Sequence, residues 1–98
     1  MATYVTTLKL TSHGIADIQD TARRAAAFRT AAKKLGAKVR DIYWTLGAFD
    51  GVLIFEAPDD ETATAAMLHL GSQGYVQTQT ARAFTAAEIE KVLATLAK

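Results

Sequence analysis

Four stretches of the chain alternate in the manner of β-strands. Residues 3–10 separate into two alternating sets and contain several β-branched side chains. In residues 38–46, one side of a period-two ribbon carries Ile42, Trp44 and Leu46, and the other carries Val39, Asp41, Tyr43 and Thr45. Residues 52–57 are almost uniformly apolar, which is typical of a strand covered on both faces. Residues 75–84 are far more polar, which indicates an edge strand or the wall of a wet cleft.

Helical spacing is found between these strands and after the last one. After a short helical turn at residues 15–19, Asp20 is suited to the N-cap of a helix that runs to about Leu35, with Gly36 as its stop. One buried stripe is predicted on this helix, formed by Ala25, Phe28, Ala32 and Leu35. Pro58 and the three acidic residues after it open the second helix, and Gly71 and Gly74 end it. Its inward stripe is Ala63, Ala66, Met67 and Leu70.

A last helix is predicted from residue 85 onwards. Thr85 and Glu88 have the spacing of a capping box. Apolar residues then recur on one face, at Ile89, Val92, Leu93 and Leu96. The complete order is therefore βαββαβ with an additional C-terminal helix, in one domain over residues 1–98.

This order leaves one face of the sheet without a cover. Two helices can cover only one face of four strands, although the last helix could flank the sheet. The second face is expected to present Val39, Tyr43 and Thr45. Burial against the same face of a second copy would remove this exposure, and symmetric dimers are the commonest oligomers. The sequence therefore predicts a face-to-face homodimer.

The loop between the second and third strands carries the most distinctive residues. Gly47 and Gly51 are placed where positive φ angles would close a hairpin, and Asp50 can bond to the loop backbone. Asp50 is then expected at the mouth of the sheet, beside aromatic side chains. Trp44 shares its side with Ile42 and is predicted to lie in the core, while Tyr43 points to the other face, so that the two should not line one pocket.

Composition and charge exclude several classes of function. The chain has 98 residues, a net charge of +1 and no cysteine, so disulfides and thiolate chemistry are excluded. It shows no membrane-spanning run, and a soluble cytoplasmic protein is expected. Seven of the eleven cations lie in the first helix and its exit, but the third strand has Val52 and Ile54 where an RNA-recognition fold would place stacking aromatics. We therefore expect a solvated basic face and no binding of nucleic acid.

The chain resembles the GYD-domain family over nearly its whole length. The likeness rests on Tyr43-Trp44-Thr45-Leu46-Gly47, on the triplet Gly47, Phe49 and Asp50 with Ala48 inserted, and on Glu56-Ala57-Pro58-Asp59-Asp60. It also includes Tyr4-Val5 and Arg82-Ala83-Phe84. The family usually has tyrosine at Phe49, so any role of that phenol is absent. The resemblance implies an α+β, ferredoxin-like fold with a four-stranded antiparallel sheet, of the dimeric α/β-barrel kind.

Two functional hypotheses follow from these residues. In the first, a dimer encloses a cleft for a small organic molecule and performs cofactor-free proton transfer, isomerisation or oxygenation. Asp50 would be the general base, Tyr43 and His13 would orient the ligand, and Arg82 would neutralise an anion. Phe49 and Thr45, from the same loop, complete the candidate ligand contacts. In the second hypothesis the protein is a non-catalytic ligand-sensing or assembly module, Asp50 stabilises its own turn, and His13 is a surface residue.

Cofactor and metal binding have little support in the sequence. No His-x-x-His motif or carboxylate cluster with metal-ligand spacing is present. His69 lies near the end of the second helix, and some dimeric α/β-barrel proteins bind haem through a helix histidine. A favourable charge near a helix C-terminus is the simpler explanation. We therefore expect no cofactor, with haem as a remote alternative.

Overall fold

The computed structural model describes residues 1–96, which form one sheet, three longer helices and two short helical turns. In chain order the elements are β1 (Ala2–Leu10), α1 (Ser12–Ala16), a 3-10 turn (Ile18–Asp20), α2 (Thr21–Leu35), β2 (Lys38–Trp44), β3 (Gly51–Ala57), α3 (Asp60–Ser72), β4 (Val76–Ala83) and α4 (Ala86–Ala94). The predicted βαββαβ order with a terminal helix is confirmed.

All four strands belong to one antiparallel sheet in the order β2-β3-β1-β4. Tyr4 pairs with Phe55 and Thr6 with Leu53 between the two central strands. β4 lies at an edge, as its polar composition predicts. The architecture is α+β and ferredoxin-like, in agreement with the predicted fold class.

The core lies between one face of the sheet and helices α2 and α3. Leu53 and Phe55 of β3 are almost completely buried, and the Phe55 ring stacks on Tyr4 with centroids 5.2 Å apart. The helices contribute Phe28 and Ala32 from α2 and Ala63, Ala66 and Met67 from α3. Because most of these helix residues are small, both helices can approach the sheet closely.

The opposite face of the sheet has no helix over it. Val5 and Ile54 are paired on this face, and both are only partly buried. α4 does not supply the cover, because none of the residues in 86–94 is buried. Within a single copy, β3 is therefore covered on one face only, in contrast to the two-sided burial that its apolar sequence predicts.

Several helix boundaries follow the predicted local signals. Gly36 ends α2 with a φ angle of 99°, and the capping box of Thr85 and Glu88 begins α4. Asp20 occupies the N-cap position of α2, although its carboxylate pairs with Arg23 and makes no capping bond. The short helical turn lies earlier than predicted, because Thr11 caps α1 at residue 12.

Two predictions about buried faces are wrong. The pairing of β2 with β3 shifts register between Val39 and Asp41, and this irregularity returns Val39 to the core side. Val39 therefore does not lie on the open face. Leu35, the last residue predicted for the buried stripe of α2, is 43% exposed because the helix ends there.

Candidate functional site

A cavity of about 410 Å³ lies between the helices and the β2–β3 end of the sheet. Its walls are mainly apolar, with Leu8 and Leu53 from the sheet and Phe28 and Leu70 from the helices. Polar side chains occur at a few positions of the lining, namely Thr21, Arg24, Asp50, His69 and Gln73. An apolar concavity with a few polar groups is the usual form of a small-molecule site.

Asp50 lines this cavity and also joins the β2–β3 loop to β1. Its backbone N–H donates to the Leu8 carbonyl at 2.7 Å, and its carboxylate Oδ2 accepts from the Leu10 N–H at 2.8 Å. Its carbonyl accepts from the Thr45 N–H at 3.0 Å. These bonds place the carboxylate at the end of the sheet, where the sequence predicts it, and involve it in holding the hairpin against β1.

The loop around Asp50 is shaped by its own backbone contacts. Thr45 Oγ1 donates to the Phe49 carbonyl at 2.8 Å, and Gly47 has a φ angle of 143°. Gly51 does not have the predicted positive φ angle. Its small size matters for a different reason, since a Cβ atom there would lie 3.0 Å from the Tyr43 carbonyl oxygen. Thr45 and Phe49, both candidate ligand contacts, do not belong to the cavity lining.

The two aromatic residues at the end of β2 both reach the cavity. Trp44 is 51% exposed, and its indole N–H donates to Thr21 Oγ1 at 3.0 Å. The prediction that Trp44 lies in the core is therefore wrong. Tyr43, which is also half exposed, contributes to the lining as well, so the prediction that the two residues do not line one pocket is wrong too. Side chains alternate along a strand, but β2 is an edge strand whose end borders the cavity, so successive residues can both meet it.

Arg24 and Tyr75 form a cation–π contact in the cavity wall. The guanidinium carbon of Arg24 lies 4.1 Å from the centroid of the Tyr75 ring. The His13 ring stacks on the same tyrosine at 4.7 Å. Sequence reasoning did not identify Arg24 or Tyr75 as site residues. The position of Arg24 next to Ala25 and four residues before Phe28 was a weak signal, because it places Arg24 at the border of the buried stripe.

The two histidines occupy different positions relative to the cavity. His13 is exposed, lies 3.8 Å from an Asp17 carboxylate oxygen, and is separated from the lining by Tyr75. His69 is in the last turn of α3 and belongs to the lining. Residues 1–96 contain no group of three or more His, Asp or Glu side chains arranged to hold a metal ion. His69 is thus one of the few polar groups of a mainly apolar cavity.

Arg82 lies at the other end of the sheet from Asp50. It is paired with Tyr4 in the β1–β4 register, whereas Asp50 bonds to Leu8 and Leu10. Its guanidinium lies 3.6 Å from Glu88 and 4.5 Å from the Phe84 ring centroid. The structure therefore does not bring Arg82 into the cavity with Asp50.

A shallow surface depression of about 430 Å³ surrounds Arg82 and Tyr4. The Tyr4 hydroxyl donates to Asp60 Oδ1 at 2.5 Å. This hydrogen bond, together with burial of the ring, raises the pKa of Tyr4 above its ordinary value. The bond ties β1 to the first turn of α3, which is a structural role.

None of the helices in residues 1–96 combines the length and the apolar character that crossing a lipid bilayer requires.

Sequence comparison finds a relative of this chain in Thermus thermophilus. Over 57 residues the chain is 40% identical to a protein of Thermus thermophilus named "Glutamine synthetase and cystathionine beta-lyase binding protein". That match covers 58% of this chain and 60% of the relative, so it spans less than two thirds of the relative's length.

Two solved structures share the fold at low sequence identity. MtbAldR superimposes with a TM-score of 0.68 at 18% identity, covering 86% of this chain and 53% of that one. TTHA0845 from Thermus thermophilus superimposes with a TM-score of 0.57 at 23% identity, covering 88% and 96% of the two chains. The model of the GYD domain matches residues 4–93. The chain therefore belongs to the GYD domain family.

Proposed function

We propose that this protein is a binding module for a small organic molecule, which occupies the cavity between the helices and the sheet. The observation that carries the proposal is the cavity of about 410 Å³ with apolar walls and only a few polar side chains. Pockets of roughly 300–1,000 Å³ with this character hold most small ligands of proteins. The ligand's apolar body would lie against Leu8, Phe28 and Leu53.

Binding without catalysis is favoured over proton-transfer or oxygenase-type chemistry. The candidate base, Asp50, already uses Oδ2 to accept from the Leu10 N–H. The other candidate groups are dispersed, because His13 lies outside the cavity lining and Arg82 pairs with Glu88 at the far end of the sheet. A general base needs its partners within hydrogen-bonding reach of one substrate. Catalysis by Asp50 would gain support if Asp50→Asn bound ligand normally but did not convert it.

The cavity proposal is tested by filling the cavity. Ala25 lies in the wall and Ala26, its neighbour on α2, is exposed outside it. The probe is 4-phenylbutan-1-ol. Its binding is measured by calorimetry and by the fluorescence of Trp44, the single tryptophan of the chain. We expect Ala25→Leu to weaken binding at least about tenfold, because one misplaced methylene in an apolar pocket is worth about 1–3 kcal/mol.

Ala26→Leu is the matched control and should bind the probe as the wild type does. Failure of the wild-type protein to bind 4-phenylbutan-1-ol or any probe of this shape would refute the cavity proposal. Equal binding by Ala25→Leu and the wild type would place the probe elsewhere and would refute it as well.

Self-association through the open sheet face is part of the proposal. Val5, Val52 and Ile54 lie on this face without a helix over them. Four strands spaced about 4.8 Å apart and about 25 Å long offer a flat area of roughly 500 Å² per copy. Two such faces give about 1,000 Å², near the lower limit for a specific interface. The homodimer is therefore expected to be of moderate affinity.

Sedimentation velocity at micromolar concentration tests the homodimer. We expect the wild type to sediment as a dimer and Ile54→Lys to sediment as a monomer, because the lysine places a charge in the centre of the interface. Ala26→Lys adds the same side chain to an exposed position on α2 and should remain dimeric. A wild-type monomer would refute this part of the proposal.

A second candidate role is assembly with another protein. The Thermus relative is named as a protein that binds glutamine synthetase and cystathionine beta-lyase. In this chain, Ile89, Val92 and Leu93 of α4 are 41–53% exposed, which leaves an apolar helix face for a partner. Size-exclusion chromatography with each purified enzyme tests this role, with Leu93→Asp as the disrupting variant. Co-elution with neither enzyme would count against it.

A further inference from the structure

Arg24 is fixed at the polar part of the cavity by three contacts. Its guanidinium lies over the Tyr75 ring at 4.1 Å, and one terminal nitrogen donates to the Asp17 carbonyl at 2.7 Å. The other donates to the Gly14 carbonyl at 3.5 Å. Stacking on an aromatic face and bonds to carbonyls restrict an arginine that would otherwise sample many rotamers. The guanidinium is therefore already positioned before any ligand arrives.

The charge of Arg24 is not neutralised by an ion pair within residues 1–96. Arg23, Arg40 and Arg82 each lie within 4.0 Å of a carboxylate, but Arg24 bonds only to backbone carbonyls. A guanidinium has more N–H donors than these two bonds use. Arg24 thus retains both charge and donors for a ligand.

The other polar groups of the lining reinforce this character. His69 can donate an N–H, and the Gln73 amide carries both donor and acceptor atoms. Asp50 contributes the negative charge of the lining, but its Oδ2 already accepts from the Leu10 N–H. The donors of Arg24, His69 and Gln73 thus come from the helix side of the cavity, whereas the Asp50 carboxylate comes from the β2–β3 loop.

We infer that the ligand of this cavity is an organic anion, a carboxylate attached to an apolar body. This inference rests on the proposed function of the cavity. The carboxylate binds Arg24 through the paired donors of the guanidinium, a geometry that favours carboxylate over neutral oxygen. The apolar body extends between Phe28 and Leu53. Tyr75 and, behind it, His13 hold the arginine in place and are positioning residues.

Three probes of one shape distinguish ligand charge from ligand shape. These are 4-phenylbutyrate, 4-phenylbutan-1-ol and 4-phenylbutylamine, each titrated into the wild-type protein with heat and Trp44 fluorescence as readouts. We expect the carboxylate to bind at least about tenfold more tightly than the alcohol, since hydrogen bonds to charged groups are roughly that strong. The amine should bind most weakly because it meets a cation.

Variants of two adjacent arginines locate the effect. Arg24→Gln should reduce the affinity for 4-phenylbutyrate about tenfold and leave the affinity for 4-phenylbutan-1-ol unchanged. Arg24→Lys keeps the charge but loses the paired donors of the guanidinium. Its affinity for 4-phenylbutyrate should fall between those of the wild type and Arg24→Gln. Arg23→Gln is the matched control, because Arg23 lies one position earlier on α2, pairs with Asp20 and does not line the cavity. It should bind all three probes as the wild type does.

The outcomes separate this inference from the proposal on which it rests. If the alcohol binds as tightly as the carboxylate, or if the amine binds most tightly, the anion inference is overturned while the cavity remains a binding site. The same holds if Arg24→Gln weakens both probes equally. If none of the three probes binds the wild type, the proposed function itself fails. The wild-type series needs no variant, so it decides the question even if Arg24→Gln does not fold.

Discussion

Replacement of Gly14 by alanine tests the contact that positions Tyr75 beside the cavity. A Cβ atom at Gly14 would lie 2.1 Å from the Tyr75 carbonyl oxygen, where ordinary contact begins at 3.4 Å. The carbonyl would have to move by roughly 1.3 Å, and the hydrogen bond that it accepts from the Thr11 N–H at 3.0 Å would be lost or weakened.

The expected change in stability combines three effects. Overpacking of a close contact costs about 1–3 kcal/mol, and loss of the hydrogen bond costs about 0.5–1.5 kcal/mol. The lower entropy of the unfolded chain with alanine returns about 0.4–1 kcal/mol. We therefore expect Gly14→Ala to lower the free energy of unfolding by about 0.5–4 kcal/mol, with a central value of about 2 kcal/mol, which for a domain of this size lowers the melting temperature by about 8–16 °C.

Gly71→Ala is the matched control, measured by the same urea and thermal unfolding followed by circular dichroism. Gly71 is in the last turn of α3, and a Cβ atom there would meet nothing within 4 Å. Alanine should stabilise the helix by up to about 0.5–1 kcal/mol, which is the value for a helix interior. The same change of glycine to alanine is thus expected to lower the free energy of unfolding at position 14 and to raise it at position 71. Equal stabilities of the two variants would refute the close approach of α1 to the start of β4.

Two further predictions concern the core and the alkaline range. Leu53→Ala should lower the free energy of unfolding by about 2–5 kcal/mol in urea titrations, because Leu53 is fully buried. Leu96→Ala, at an exposed position, should change it by less than about 0.5 kcal/mol. Similar losses for both variants would contradict the assigned core. The raised pKa of Tyr4 means that the folded state holds the proton of the Tyr4 hydroxyl more tightly than the unfolded state does. The associated stability is therefore complete below the ordinary pKa of 10.0 and is lost as pH rises through the pKa of the folded state. Urea unfolding between pH 8 and pH 12, at about unit steps, should show this loss of stability in the wild type and in the control Tyr43→Phe, but a smaller loss in Tyr4→Phe. If the three proteins lose stability with pH in the same way, the result would argue against the Tyr4–Asp60 bond.

Local signals in the sequence predicted the elements and many of their ends. The Thr85–Glu88 spacing defines a reciprocal pair of hydrogen bonds within a few residues, so no tertiary information is needed to place the start of α4. The same is true of Gly36, whose left-handed conformation ends α2. The polar sequence of β4 likewise predicted its edge position, because an edge strand can keep its side chains in water.

The errors occur where pairing between strands overrides the pattern within a strand. Strict alternation placed Val39 and Ile42 on opposite faces of β2, but the irregularity at residues 39–41 puts both side chains against the core. A bulge depends on the partner strand, and nothing in residues 38–46 alone marks it. Trp44 was expected in the core because of its size and its neighbours, yet it lies at the end of an edge strand, where it borders the open cavity and is half exposed.

The sequence by itself determined the order of strands and helices, several of their ends and the place of Asp50 in a hairpin, because each depends on residues close together in the chain. The open sheet face followed from the number of helices and strands. Only the tertiary structure decided which polar groups meet. Arg24 comes from α2 and Tyr75 directly precedes β4, and they share one cavity wall only because the sheet order brings these elements to the same end. The same order carries Arg82 away from Asp50. Contacts between distant residues depend on strand pairing and packing, which local periodicity does not encode.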